Sequence, residues 1–449
     1  MPILTTEDTA ERMARLQQII EDLLKEAKHQ GASAAEASVG SSSGLDVAVR
    51  LGEVETVEHT RDNGLGITVY FGHRKGSAST SDLSTDAVRD TVRAACAIAE
   101  QTQEDRCAHL AAAELMATEI PDLDLYHPWL LSVEEAINLA TACEDAARGH
   151  DPRIINSEGA SLSTHFGIHV SGNSHGFIGG YPTTRHSLNC AVIAQEDDMM
   201  QRDYWWTSAR SALDLEPAHS VGERAAARTV ARLGARRLPT QEAPVLFRAE
   251  VATGLLRSLV GAINGNSLYR RSSFLLDHLG KRIFPEFVRI HEEPHLPRGL
   301  SSAPFDGDGV ATRAKDLISG GVLQTYVLDT YSGCRLGLPT TGNAGGVRNL
   351  RIEMGDRDRA AMLRELGTGL MVTELMGHGV NAVTGDYSRG ASGFWVENGE
   401  IQYPVEEITI AGNLKTMFAG LVAVGNDCDF PGGTRTGSWL IDRMTIAGE

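Results

Sequence analysis

Apolar residues recur between positions 11 and 30 at Met13, Leu16, Ile19, Ile20, Leu23, Leu24 and Ala27, the spacing of a helix with one covered face, and Gly31 is placed to end it. The period then changes. Leu45-Asp-Val47-Ala-Val49 and Gly66–Phe71 alternate as strands do, with Gly72-His-Arg-Lys as a hairpin turn into Gly76–Thr80. Ser84 predicts the cap of a helix reaching about Gln101, and Pro121–Pro128 reads as a linker. Ser132-Val-Glu-Glu135 is a capping-box pattern opening a second helix to Gly149. Strands are expected at Ile154–Ser157, Ser163–Ser171 and Ser187–Ile193, then a helix over Val221–Arg236. The second region echoes the first in order, without a fixed-period repeat. After Leu238–Pro244 come a helix beginning near Val251, short β-like runs rich in glycine, a helix over Arg357–Gly367 and a strand pair around Gly399. The pattern predicts an α+β fold. It has an N-terminal helix plus antiparallel-sheet region in two parts, residues 1–120 and 121–238, and a β-dominated glycine-rich C-terminal domain, residues 239–449.

Charge narrows the function. Forty-one basic against fifty-nine acidic side chains give a formal charge of -18, which repels phosphate backbones and argues against direct nucleic-acid binding. The basic pairs Arg236-Arg237 and Arg270-Arg271 read as solvated faces. The start, Met1–Thr9, lacks a basic stretch leading into an apolar one, and no window is long and apolar enough to span a membrane. A cytoplasmic protein is expected. Cys96, Cys107, Cys143, Cys190, Cys334 and Cys428 are scattered without a C-x-x-C pair, as expected of reduced thiols.

Several motifs invite chemistry. His291-Glu-Glu-Pro-His295 has the letters of a zinc-binding helix, but Pro294 and Pro297 oppose the helix that would aim both imidazoles at one metal, so an extended acidic loop is expected. Glu374 and His378 share four-residue spacing, yet Gly377 and Gly379 weaken a helix there, which favours a surface pair. Gly342-Asn-Ala-Gly-Gly346 has no following Lys-Ser/Thr and reads as a flexible turn rather than a phosphate loop. No Gly-x-Ser-x-Gly elbow supports a serine nucleophile. Tyr387, Ser388, Arg389, Phe394 and Trp395 gather aromatic and hydrogen-bonding groups among glycines. That composition suits a cleft for peptide or partner, with peptide added along a strand edge, and equally a tight hairpin with Trp395 in the core.

Ordered blocks from near residue 45 to the C-terminus resemble the PmbA/TldE branch of the TldD/PmbA metallopeptidase family, whose members also carry the label modulator of DNA gyrase. They are Gly64–Tyr70 with Arg74–Leu83, Gly172–Gly176, Tyr331-Ser332 with Gly342–Gly346, Gly385–Ile401 and Pro404–Leu414. In the TldD branch one helix bears His-Glu-x-x-x-His. Aligned through Leu255-Leu256 and Val260-Gly261, those three positions fall here on Arg257, Ser258 and Ala262. Arginine has no lone pair for zinc, serine is no general base at neutral pH, and alanine has no ligand atom. The TldD branch takes its third ligand from a cysteine near the C-terminal glycine-rich segment; here that segment is Gly433-Thr-Arg-Thr-Gly437, and its neighbouring cysteine is Cys428. The resemblance therefore implies a chain without catalytic residues or a metal of its own. It would be the non-catalytic subunit of a heteromeric peptidase, with zinc held by a TldD-type catalytic partner and small unfolded peptides as substrates for maturation or breakdown. Alone, such a chain is compatible with a homodimer. The alternatives are a stand-alone metallopeptidase with unaligned ligands and a protein-binding regulatory module.

Overall fold

The computed structural model describes residues 6–448, so Met1–Thr5, part of the segment judged not to be a secretory signal, lies outside the described residues. Two units of the same composition follow one another. The first is helix Thr6–His29, strands Ala34–Arg50, Glu53–Phe71 and Arg74–Thr80, and helix Thr85–Gln101. The second is helix Val133–Arg148, strands Ile154–Asn173, Ile178–Glu196 and Met199–Ala209, and helix Ala218–Val230. Local chemistry sets their boundaries. Gly31, at φ +88°, follows the first helix; the Ser84 side chain accepts from the Ala87 amide; Ser132 and Glu135 cap each other's backbone amides.

The two units share one six-stranded antiparallel sheet, joined where the first strand of each pairs, from Glu36 opposite Asn173 to Val49 opposite Ala160. Alternate residues of Ala34–Arg50, Ala35, Ala37, Val39 and Ser41 and then Leu45, Val47 and Val49, are buried, with a break at Ser43. One end of that face packs under the first unit's helices and the other end under the second's, giving two cores in tandem. The expected strands were too short: Ile154–Ser157 and Ser163–Ser171 are one strand, and Ser187–Ile193 is the middle of another. Serine, glycine and histidine alternate on the less covered face, and bulges near Ile154 and Ser157 break the period. The expected Val221–Arg236 helix runs instead over Ala218–Val230, with turns beyond it.

In the C-terminal region, strand Gln241–Phe247 pairs in parallel with Gly369–Met376, which continues through Asp386–Glu397 to Glu400–Asn413. The last of these pairs with Trp439–Ala447, which returns to Gln241–Phe247 and closes the sheet on itself. Helix Ala249–Ala262 packs into this core through Ala252, Leu255, Leu256 and Leu259. A second sheet of five short strands runs from Val322–Leu323 to Thr434–Arg435.

One correction concerns the cysteines. Cys107 and Cys334 form a disulfide with Cα atoms 5.5 Å apart, whereas all six were expected as reduced thiols. A separation of 227 residues leaves no local pattern from which the pairing could be read. No helix among the described residues is long and apolar enough to cross a membrane.

Candidate functional site

The Ala249–Ala262 helix carries the three motif positions. Arg257 is exposed and makes no ion pair among the described residues, while Ala262 is only 2% exposed and faces the core. The Ser258 hydroxyl is spent on the Gly254 carbonyl at 3.0 Å. A cation, a hydroxyl bonded to its own helix and a methyl group do not fit zinc.

The start of this helix is held by buried charge. Arg228 Nη1 donates to Glu250 Oε1 at 2.8 Å, Arg248 Nε lies 3.5 Å from the same oxygen, and Arg228 Nε lies 3.4 Å from Asp203. Arg232 meets Glu374 at 2.6 Å. Burial works to raise the Glu250 carboxyl, but Arg248 and Arg228 outweigh it and hold it below the usual carboxylate range. This network binds the N-terminal sheet and its last helix to the degenerate helix.

Beside it opens a groove of about 430 Å³ between the two regions, lined by Arg298, Arg351, Cys428, Asp429 and Arg435 among others. Phe430 packs in the same cluster as Ala249, and the helix also touches Thr434–Arg435. Cys428 is a half-buried free thiol. Arg298 is paired with Asp124 and Asp214, and Arg351 with Glu293. Arg435 is exposed and has no ion pair among the described residues, and its two-residue strand is the outer edge of the five-stranded sheet. No group of three or more His, Cys, Asp and Glu converges among the described residues.

The other sequence candidates are dispersed. His291 lies on strand Ile290–Glu292, while His295 Nε2 meets the Thr312 hydroxyl at 3.0 Å. Within this extended acidic stretch Glu292 is 1% exposed, accepts from the Arg348 amide and Asn343 Nδ2, and lies 3.3 Å from Lys315 Nζ. Gly342–Gly346 is likewise a tied turn and not a flexible one: Asn343 is bound to Glu292, and the Ala344 amide donates to Asp306 at 2.9 Å. Burial, with Asp308 beside it, pushes Asp306 up to about 7 against the amides of Ala344, Val310 and Asp308. Composition alone did not reveal these two buried carboxylates; the glycine-asparagine turn facing them was the available sign. Glu374 lies on a strand and pairs with Arg232, and His378 is exposed.

Strand Asp386–Glu397 is internal, paired on both sides, so the peptide expected along its edge has no edge to join. Tyr387 is buried, its hydroxyl pushed up to about 12 by that burial and without a hydrogen-bond partner among the described residues. Trp395 is buried with Nε1 donating to Glu397 at 3.0 Å, and Phe394 packs against a small core around Leu246 and Met362. Ser388 is exposed and Arg389 half-buried, its Nε donating to the Met376 carbonyl at 3.3 Å.

Fold and site together define a multidomain α+β chain with an interdomain groove and a ligand-free helix beside it. Models of three PmbA/TldA metallopeptidase domains match it in order: domain 1 over residues 35–99, the central domain over 126–233 and the C-terminal domain over 240–448. The metalloprotease PmbA of Escherichia coli O157:H7 is 54% identical over 415 residues, covering 92% of each chain. A PmbA homolog from Haemophilus influenzae is 50% identical over 434 residues, covering 96% of each. A crystal structure from Bacteroides thetaiotaomicron described as a modulator of DNA gyrase superposes with a TM-score of 0.91 at 27% identity, covering 100% of both chains. TldE from Thermococcus kodakarensis shares the fold, with a TM-score of 0.83 at 20% identity over 96% of this chain and 100% of that one. The chain belongs to the PmbA/TldD metallopeptidase family.

Proposed function

We propose that this chain is the non-catalytic subunit of a two-component peptidase. In this reading a TldD-type partner contributes zinc and the general base, and this subunit helps to enclose and align small unfolded peptides. The observation that carries it is the degenerate helix, where Arg257, Ser258 and Ala262 occupy the positions of two ligands and a base. The groove beside that helix supports the alignment role. Its free strand edge at Thr434–Arg435 offers backbone groups to an extended peptide, and Arg435 suits a carboxylate or carbonyl of that peptide. Ser388 and Arg389, the solvent-reaching members of their block, are assigned to the partner-facing surface.

Elemental analysis of the purified, dialysed chain tests the reading. The expected result is no stoichiometric zinc; one tightly held zinc per chain would return His291, His295 and His378 to consideration and overturn it.

A further inference from the structure

The Cys107–Cys334 bridge joins the loop after helix Thr85–Gln101 to helix Thr330–Leu336, and so links the N-terminal region to the C-terminal one. Ala108 and Leu110 pack on Tyr70 within the N-terminal region, and the contacts to helix Thr330–Leu336 beside the bridge are polar. The Asp105 carboxylate accepts from the Cys107 amide at 3.0 Å and from the Tyr331 hydroxyl at 2.8 Å, Arg335 lies 4.0 Å from Asp105, and Lys75 sits over the Tyr331 ring at 5.2 Å. Such partly exposed polar contacts are individually weak. Cys107 is 1% exposed, whereas Cys334 is half-buried beside an exposed cavity of about 580 Å³ lined by His73, Lys75, Arg106 and Arg335 as well as Glu104 and Asp105. Cys334 is thus the less buried half of the bridge and is next in sequence to Arg335 on the cavity rim, where Lys75, Arg106 and Arg335 favour an approaching thiolate.

Helix Thr330–Leu336 is also seated against the element that follows the degenerate helix. A Cβ on Gly265 would lie 2.2 Å from the Ser332 hydroxyl oxygen, and the Gly265 amide donates to the Val327 carbonyl at 2.9 Å. Glycine is required there for the approach. The bridge, helix Thr330–Leu336 and the end of helix Ala249–Ala262 are therefore one packed series.

We infer that Cys107–Cys334 is a redox-controlled latch between the two regions, opened by low-molecular-weight thiols such as glutathione. A thiolate attacks the Cys334 sulfur, the sulfur–sulfur bond breaks, and Cys107 leaves as a thiolate that takes a proton from water. A second thiol attacks the mixed disulfide, releasing Cys334 as a thiol and the small molecule as its disulfide. Two thiols are oxidised and the bridge is reduced by two electrons and two protons. Opening removes the covalent tie between residues 102–110 and helix Thr330–Leu336, leaving the contacts of Asp105 with Tyr331 and Arg335 between them.

The test equilibrates the full chain with glutathione buffers of graded ratio, then measures alkylation of Cys107 and Cys334 by mass spectrometry and amide exchange over 102–110 and 330–336. The expected result is reversible opening within the glutathione series, with exchange in both segments rising about tenfold, a change of about 1.4 kcal/mol in local opening. Cys334→Ser should show the fast exchange in every buffer, with the remainder of the chain unchanged. Three results would overturn the inference: both thiols free in air-oxidised protein, a bridge that resists excess reduced glutathione, or equal exchange in the bridged and reduced chains.

Discussion

Arg257, Ser258 and Ala262 carry the functional argument because each removes a different requirement: a ligand, a base and a second ligand. Restoring them supplies those atoms but neither a third ligand nor the groups that orient imidazoles. The triple variant Arg257→His, Ser258→Glu, Ala262→His is therefore expected to bind zinc weakly and to cleave peptide inefficiently by itself, as read by calorimetric titration and a peptide assay. Efficient zinc-dependent turnover would show the remaining scaffold to be complete. Glu250 gives a second residue-level expectation. Glu250→Gln leaves Arg228 and Arg248 without their shared charge in a buried setting and is expected to cost about 3 kcal/mol near neutral pH. Its folded carboxyl lies below the unfolded value, so that contribution is complete above about pH 4.3 and is lost as pH falls through the folded value. Unfolding curves between neutral and acid pH should show wild type and variant converging at the acid end. These three motif positions were legible in the sequence through alignment. The buried charges around Glu250 were not, because Arg228 reaches both Glu250 and Asp203 only through the tertiary fold.

At the scale of elements, capping chemistry was the most legible part of the sequence. Ser84 and Ser132 mark their helices by side-chain bonds made within three residues, which depend on little else. Strand length was not legible in the second unit. Bulges and small polar residues hide a strand whose length is set by pairing with Ala34–Arg50. The block from Tyr387 to Trp395 shows why composition left two readings open. Aromatics among glycines suit a cleft or a close-packed sheet, and closure of the C-terminal sheet places Tyr387 and Trp395 in its core. Trp395→Ala is accordingly expected to lose about 3–5 kcal/mol of stability in denaturant unfolding. Arg435→Ala, at an exposed strand edge, is expected to leave the unfolding midpoint unchanged and to lower turnover by the assembled peptidase about tenfold, the loss of one charge-assisted hydrogen bond. Unchanged turnover by a folded Arg435→Ala variant would remove the groove from the peptide's path.

For the whole molecule, the acidic balance opposes binding of nucleic acid, and the groove between regions is where the proposed reading puts the peptide. The fold class was legible from the change of period along the chain. The single sheet under both N-terminal units and the bridge between distant cysteines were not, since each is created by contacts remote in sequence. On the proposed reading this chain lacks catalysis of its own and acts only in assembly with a catalytic partner. The most direct test of that reading is cleavage of an unstructured peptide by the purified chain alone, by a TldD-type partner, and by the two mixed with zinc present. The account predicts no turnover by this chain, and turnover by the mixture that disappears when the partner's motif glutamate is replaced. Zinc-dependent turnover by this chain alone, or turnover by the mixture that survives that replacement, would contradict it.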